Sequence, residues 1–239
     1  MPDRHSLTTD SSVTTPAIEA RDLTRHYGGV PVIDRVTVTL PPGAHVALLG
    51  ANGAGKTTLL GLLAALLTPH GGSAWIGGHA AGTTEARRII GVLAHQPMLY
   101  EELSPLENMQ FFARLYDVTE AATRAETLLR RLGLWSRRHD PTASLSRGYH
   151  QRLAIARALV HAPPVLLLDE PETGLDTEGL ALLDELLMTA PGTTVLAATH
   201  RIDRVDDWAD GVLTLDRGRI AERRGSAAAD PAPALGGAR

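Results

Sequence analysis

Residues 50–57 constrain this chain more than any other segment, because they match the phosphate-binding pattern G-x-x-x-x-G-K-[ST] at every fixed position. The chain holds 23 lysine and arginine residues, and Lys56, inside this pattern, is its only lysine. Backbone wrapped around a triphosphate leaves room for a thin stem with a compact ammonium, whereas a planar guanidinium is wider and seeks bidentate partners. A lysine kept at this one position therefore indicates phosphate binding.

The residues on either side of this loop supply the structural context that such a loop needs. His45 to Leu49 is a short apolar stretch typical of a buried strand, and Gly55 to Leu67 has the pattern of a helix. A helix N-terminus presents unpaired N–H groups and the positive end of its dipole to an anion. We predict a nucleotide site whose contacts are Gly50, Asn52, Gly53, Ala54, Gly55, Lys56, Thr57 and Thr58.

Composition narrows the classes of function. With 239 residues, 44% of them hydrophobic, the chain is long enough for one large α/β domain. The net charge of −4 predicts no broad attraction to nucleic acid, and the lack of cysteine excludes disulfides and thiolate-ligated metal sites. No stretch reaches the ~18–20 apolar residues that cross a bilayer, and residues 1–16 lack the apolar core of a signal peptide. A link to a membrane is therefore expected to come through a partner.

The chain is predicted to be one domain, residues 17–224, between disordered tails at 1–16 and 225–239. The fold class is α/β, with a mainly parallel core sheet, an antiparallel β subdomain and a helical insertion over about residues 98–160. The predicted strands are Ile18–Leu23, Val32–Leu40, His45–Leu49, Ile89–His95, Val165–Leu168, Thr194–Ala198, Gly211–Leu215 and Arg219–Glu222. Besides the helix after the loop, helices are predicted at Pro105–Tyr116, Glu120–Leu132, Tyr149–His161 and Thr177–Met188.

Two carboxylates follow one of the predicted strands directly. Asp169 and Glu170 come after four apolar residues, so both emerge at the carboxyl edge of the sheet, where open α/β sheets bind ligands. Asp169 is placed to hold Mg²⁺ together with Thr57, and Glu170 is placed to polarise an attacking water. A solvated acidic turn is the alternative for such a pair alone, but the strand and the phosphate loop favour the catalytic interpretation.

A second segment, Leu145-Ser146-Arg147-Gly148-Tyr149, precedes a predicted helix. Ser146 is suited to cap that helix, and Gly148 allows backbone to approach an anion closely. Taken alone, the segment is better explained as a simple N-cap.

Together these segments resemble the ATP-binding subunits of ATP-binding-cassette (ABC) transporters over residues 18 to about 222. Residues 50–57 resemble the Walker A loop of the P-loop NTPase fold, 165–170 the Walker B strand, 145–149 the family signature and 173–176 the D-loop. A lone histidine or tyrosine is usually structural. The resemblance nevertheless implies that Gln96 contacts Mg²⁺ and couples to the membrane partner, that His200 contacts the γ-phosphate and that Tyr27 stacks on adenine.

The resemblance further implies an ATPase that uses ATP and Mg²⁺, with Glu170, His200 and Gln96 as its catalytic residues. Its partners are a second ATP-binding subunit, joined head to tail so that Ser146 and Gly148 reach the neighbour's ATP, and integral membrane transporter subunits. The expected location is peripheral, on the cytoplasmic face of the cell (inner) membrane, with no nucleic-acid partner. The family signature is usually Leu-Ser-Gly-Gly-Gln, so Arg147 and Tyr149 depart from it and their roles stay open.

Within the family, residues 99–108 and 145–153 look most like the heme-exporter subunit of bacterial cytochrome c maturation. No Cys-x-x-Cys-His segment is present, so no direct heme binding is expected in this chain. Three alternatives remain: an ATPase for drug or lipid efflux, a soluble ABC protein of translation or DNA repair, and an inactive nucleotide-binding subunit. The chain contains neither tandem cassettes nor a long coiled-coil insertion, and it retains Glu170 and His200.

Overall fold

The computed structural model describes residues 14–188 and 192–225, in which ten strands and seven α-helices are formed. The strands are β1 (Ile18–Tyr27), β2 (Val30–Leu40), β3 (His45–Leu49), β4 (Gly71–Ile76), β5 (His79–Ala80), β6 (Ile90–Leu93), β7 (Val165–Asp169), β8 (Thr194–Ala198), β9 (Gly211–Asp216) and β10 (Arg219–Arg224). The helices are α1 (Lys56–Leu63), α2 (Thr84–Arg88), α3 (Pro105–Leu115), α4 (Ala121–Arg131), α5 (Arg147–Leu159), α6 (Thr177–Met188) and α7 (Val205–Trp208).

A six-stranded sheet in the order β10-β9-β3-β8-β7-β6 forms the centre of the fold. Its five strands from β9 to β6 are parallel, and only β10 is antiparallel to its neighbour. The central strands β7 and β8 are buried along their whole length, as expected for a parallel sheet covered on both faces. The predicted α/β fold with a mainly parallel core is confirmed, and the carboxyl ends of β3, β7 and β8 meet at one edge.

A four-stranded antiparallel sheet in the order β2-β1-β4-β5 packs on the same core. Strand β4 was not predicted, because it begins with Gly71 and Gly72, and glycine is rare in strands. Gly72 has a φ of 78°, and a Cβ there would lie 2.4 Å from the carbonyl oxygen of Arg21. The glycine therefore permits the close approach of β4 to β1, which a local sequence pattern does not reveal.

Residues 105–159 contain the three helices α3, α4 and α5 and no strand, as predicted for the helical insertion. Their buried side chains, including Met109, Leu128 and Leu153, form a second core cluster that also receives residues of β7 and β8. Helix α5 begins two residues earlier than predicted, at Arg147 instead of Tyr149. This shift places the signature segment on the helix N-terminus.

The helix after the phosphate loop is shorter than predicted, since α1 ends at Leu63 and not at Leu67. Ala65 has a left-handed φ of 52°. The N–H of Leu66 donates to the carbonyl of Gly61, and the N–H of Ala65 donates to Leu62. These two bonds form a Schellman motif, which satisfies the last carbonyls and stops the helix.

The predicted disordered tails, 1–16 and 225–239, lie almost wholly outside the described residues, so the domain limits 17–224 remain a prediction. Among the helices of the described ranges, none combines the length and apolar character needed to cross a membrane.

Candidate functional site

The phosphate loop connects β3 to α1 and depends on glycine at two close contacts. Gly50 has a φ of 150°, and a Cβ there would lie 2.3 Å from the carbonyl oxygen of Leu215. Gly55 has a φ of 108°, and its Cβ would lie 2.7 Å from the carbonyl oxygen of Val32. No other residue type fits both the backbone conformation and the space. These contacts hold the loop between β2 and β9.

The single lysine lies inside this loop. Lys56 is buried, and its Nζ donates hydrogen bonds to the carbonyl oxygens of Gly50 at 2.7 Å and Ala51 at 3.2 Å. An ammonium has three donors, so two hold it on the loop and one remains for another acceptor. The lysine is therefore held on the loop with one donor remaining, and its contact with phosphate stays a prediction.

Asp169 ends β7 and is a buried carboxylate beside the loop. Burial raises its pKa above the ordinary value, and a hydrogen bond from the Thr57 hydroxyl and the charge of Lys56 oppose that rise. Among the described residues, its buried Oδ1 atom has no hydrogen-bond partner. A buried anionic oxygen without a partner, next to a hydroxyl, fits the oxygen ligands that Mg²⁺ prefers.

Glu170 and His200 form a pair at the edge of the sheet. The Nε2 atom of His200, which follows β8, lies 2.6 Å from Oε1 of Glu170, and the Thr173 hydroxyl donates to Oε2 at 3.3 Å. Glu170 has a left-handed φ of 50°, and its N–H donates to the carbonyl of Ala198 at 2.9 Å. The strained backbone turns the carboxylate out of the sheet toward the phosphate loop.

One open cavity combines most of the predicted residues. It is lined by Val32, Asn52, Gly53, Gly55, Lys56, Thr57, Thr58, His95, Glu170 and His200. Gly50 and Ala54 belong to the loop without lining the cavity. Gln96 is exposed and also lies outside the lining, while its neighbour His95 lies within it. His95 was not predicted, although its position beside Gln96 was a signal. The assignment of Gln96 to Mg²⁺ stays a prediction.

Tyr27 ends β1 and is 46% exposed. The guanidinium of Arg25 lies 5.0 Å from the centroid of the Tyr27 ring. Tyr27 pairs with Val30 of β2, and Val32 of the same strand lines the cavity. Tyr27 itself is not part of the cavity lining, but its ring is exposed, so adenine contact remains the prediction for Tyr27.

The signature segment lies outside this cavity. Ser146 occupies the N-cap position of α5, but its side chain makes no capping hydrogen bond and is exposed. Gly148 faces the carbonyl oxygen of Gly174, which would lie 3.0 Å from an added Cβ. Gly174 in turn lies against the side-chain stem of Arg147, whose Cγ atom would be 3.1 Å from a Cβ at Gly174. The simple N-cap explanation of Ser146 therefore fails for its hydroxyl.

Two side chains of α5 make contacts that the sequence did not predict. Arg152 is buried and donates to Asp176 at 2.6 Å and to Glu178 at 3.3 Å. Gln151 Nε2 donates to the carbonyl oxygen of Pro171 at 3.0 Å. Helix α5 is thus fixed to the D-loop and to the turn that follows Glu170.

Comparison with known proteins assigns the fold to one family. The family model described as "ABC transporter" matches residues 33–173. The daunorubicin/doxorubicin resistance ATP-binding protein DrrA of Streptomyces peucetius is 37% identical over 86% of this chain and 64% of its own length. The uncharacterized ABC transporter ATP-binding protein YdbJ of Bacillus subtilis is 34% identical over 86% of this chain and 68% of its own. The chain thus spans about two thirds of the length of these relatives.

One solved structure that is similar to this chain was determined in a post-hydrolysis state. The dimeric, post-hydrolysis structure of the ATP-binding cassette MJ0796, bound to ADP and Pi, superimposes with a TM-score of 0.76 at 28% identity. The match covers 87% of this chain and 98% of that one.

Proposed function

This chain belongs to the ABC transporter family as an ATP-hydrolysing, ATP-binding subunit, and from that premise we propose that it powers export of a drug-like cargo through integral membrane partners. The observation that carries the catalytic part is the Glu170–His200 pair, 2.6 Å apart, in the cavity that also contains Lys56 and Thr57. A base, a cation and a hydroxyl lie together there, as a site for a terminal phosphate requires.

Glu170 is the proposed general base for the attacking water. Its carboxylate accepts hydrogen bonds from His200 and Thr173, which orient it and leave lone pairs free to accept a proton from water. His200 holds that carboxylate from the side of β8 and reaches the γ-phosphate when ATP is bound. Neither role requires a further protein group within the cavity.

Asp169 and Thr57 are the proposed Mg²⁺ ligands, with Gln96 as a third whose side chain must turn inward. When bound, Mg²⁺ neutralises charge that develops on the phosphate oxygens. The protein's part is to present the partnerless Oδ1 of Asp169 beside the Thr57 hydroxyl and to hold Lys56 on the loop.

The complete site is proposed to form between two copies of the chain. The exposed Ser146 hydroxyl and the backbone of Gly148 lie outside their own cavity, so they are free to contact ATP bound to a neighbour. The dimeric state of MJ0796 supports this arrangement. Arg147, exposed next to Ser146, would then lie at the interface.

A surface next to Gln96 is the proposed contact with the membrane partner. Met98, Tyr100, Phe111 and Leu115 are each at least 40% exposed, and the rings of Tyr100 and Phe111 meet edge to face at 4.9 Å. We call these four residues the apolar patch. Exposed apolar groups gathered in one place indicate a binding surface more often than isolated ones do. A helix of a membrane subunit that packs there would sense movement of Gln96.

For the cargo, we propose drug-like efflux in place of the predicted heme export. DrrA is named for daunorubicin/doxorubicin resistance, which supports a drug as the cargo, whereas neither relative described above is named for heme. The same residues would perform the chemistry for either cargo, so the choice concerns the membrane partner alone.

The test is recovery of the Glu170→Gln chain, with ATP, from detergent-solubilised native membranes, followed by identification of what copurifies. An efflux permease would support the proposal if its complex with the unsubstituted chain, once reconstituted, hydrolyses ATP faster with daunorubicin than with heme. Recovery of the heme-export membrane subunits would contradict drug-like efflux and support heme export. Recovery of no membrane protein would refute the transporter role.

The apolar patch is tested in the same experiment. We expect Phe111→Ser to abolish recovery of the membrane partner while ATP binding is unchanged. Ile202→Ser is the matched control, because Ile202 is 67% exposed on a different segment. Equal loss of the partner from both variants would contradict the assignment of the patch.

A further inference from the structure

Two side chains that the mechanism above does not use join the segments that carry the catalytic pair. Glu172 lies two residues after Glu170, and Thr199 comes directly before His200. The Thr199 hydroxyl donates a hydrogen bond to Oε1 of Glu172. This contact ties the turn after β7 to the end of β8, next to each member of the pair.

The Thr199 side chain is fixed from several sides. It is buried, and its oxygen accepts a hydrogen bond from the N–H of Arg201 at 2.9 Å. A hydroxyl has one donor and two acceptor sites, so the donor is committed to Glu172 while an acceptor site binds the backbone beyond His200. The Thr199 hydroxyl therefore fixes the residues on both sides of His200, Thr199 itself and Arg201.

The catalytic pair needs such support because packing alone holds it weakly. The side chains of His200 and Glu170 are 43% and 33% exposed. Glu170 also has a left-handed φ of 50°, a strained conformation that persists only when its surroundings enforce it. The bond from the N–H of Glu170 to the carbonyl of Ala198 joins the two backbones, but without a further side-chain link the 2.6 Å contact would depend on two partly solvated side chains.

We propose that the Glu172–Thr199 hydrogen bond is a latch that keeps Glu170 and His200 at their catalytic separation. Glu172 and Thr199 are positioning residues that act through the pair and touch no reacting atom. The proposal rests on ATP hydrolysis at this site. Both residues line a separate cavity with Leu183 and Trp208, and neither lines the phosphate-loop cavity. We therefore expect loss of the latch to lower the rate of ATP hydrolysis without changing the affinity for ATP.

The experiment compares steady-state hydrolysis of Mg²⁺-ATP by the full chain and four variants. Thr199→Val keeps the shape without the hydroxyl, Thr199→Ser keeps the hydroxyl, and Glu172→Ala removes the acceptor. Thr127→Val is the matched control, because it deletes a hydroxyl whose only described bond is to Thr123 within α4. A displacement of about 1 Å at a catalytic group costs up to ~10²-fold in rate, so we expect kcat to fall about 10- to 100-fold in Thr199→Val and Glu172→Ala.

The pattern of results decides the proposal. The KM for ATP should stay within about twofold, Thr199→Ser should restore turnover, and the control should match the unsubstituted chain. Normal kcat in Glu172→Ala would overturn the latch even if Thr199→Val failed to fold. A raised KM with unchanged kcat would overturn it too. Absent turnover by the unsubstituted chain would refute the proposed function itself, which is a separate result.

Discussion

His161 offers a quantitative test of how the helical region packs on the parallel sheet. Its Nε2 atom lies 3.1 Å from the carbonyl oxygen of Ile90 in β6, and its ring stacks on Tyr116 at a centroid distance of 3.8 Å. A carbonyl only accepts, so Nε2 carries a proton, and the buried Nδ1 atom has no hydrogen-bond partner among the described residues, as suits a neutral ring. Burial lowers the pKa of His161 from 6.5 to about 4, and the charges of Arg157 and Arg124 act in the same direction.

The direction of the pH effect follows from the two states. The unfolded histidine takes up a proton near its ordinary pKa of 6.5, whereas the folded one resists protonation until about pH 4. Between these values the unfolded chain binds more protons, so stability falls as the pH falls. Two-state linkage gives a loss of ~2 kcal/mol at pH 5 and ~3 kcal/mol at pH 4, relative to neutral pH.

The assay is urea unfolding of the unsubstituted chain and of His161→Gln at pH 7 and pH 5. The glutamine amide can donate to the Ile90 carbonyl and does not titrate, and contributions from other groups cancel in the difference. We expect the difference in unfolding free energy to shift by ~2 kcal/mol in favour of the variant between the two pH values. A constant difference would refute the neutral state of His161 in the folded chain.

Three further predictions concern single side chains. Arg147→Gly should weaken ATP-dependent dimer formation about two- to fivefold in sedimentation experiments; unchanged dimer formation and ATPase rate would remove any role of Arg147 at the interface. Ser104→Ala should cost about 1 kcal/mol in urea unfolding, because Ser104 and Glu107 form a capping box at α3, and unaltered stability would contradict that role. Because Lys56 is the only lysine, Mg²⁺-ATP should protect the peptide that contains it from amine acylation; equal labelling with and without nucleotide would argue against its contact with phosphate.

The elements that were predicted well from the sequence are those that local composition specifies. The apolar runs of β3 and β8 have the predicted bounds, because each is buried on both faces of the sheet. Strand β4 was missed because it begins with two glycines and exists through its pairing with β1, which is distant in sequence. The helix α2 was also missed, since five residues give too little periodicity to detect.

The same distinction applies to the site. The loop and the Asp169–Glu170 pair have fixed spacings that chemistry explains, so they were predicted residue by residue. The contacts of Thr199 with Glu172 and of Arg152 with Asp176 join segments that are 24 or more residues apart. Such contacts depend on how the strands and helices are arranged, and residue types alone do not specify them.

The most direct test of the catalytic account is the rate of ATP hydrolysis by Glu170→Gln, measured together with ATP binding and dimer formation. Glutamine keeps an acceptor for His200 but is a far weaker base, and loss of a general base costs about 10²- to 10⁴-fold. We predict ATP binding at normal affinity, an ATP-trapped dimer and a rate at least ~100-fold lower. A near-normal rate would contradict the assignment of Glu170 as the base.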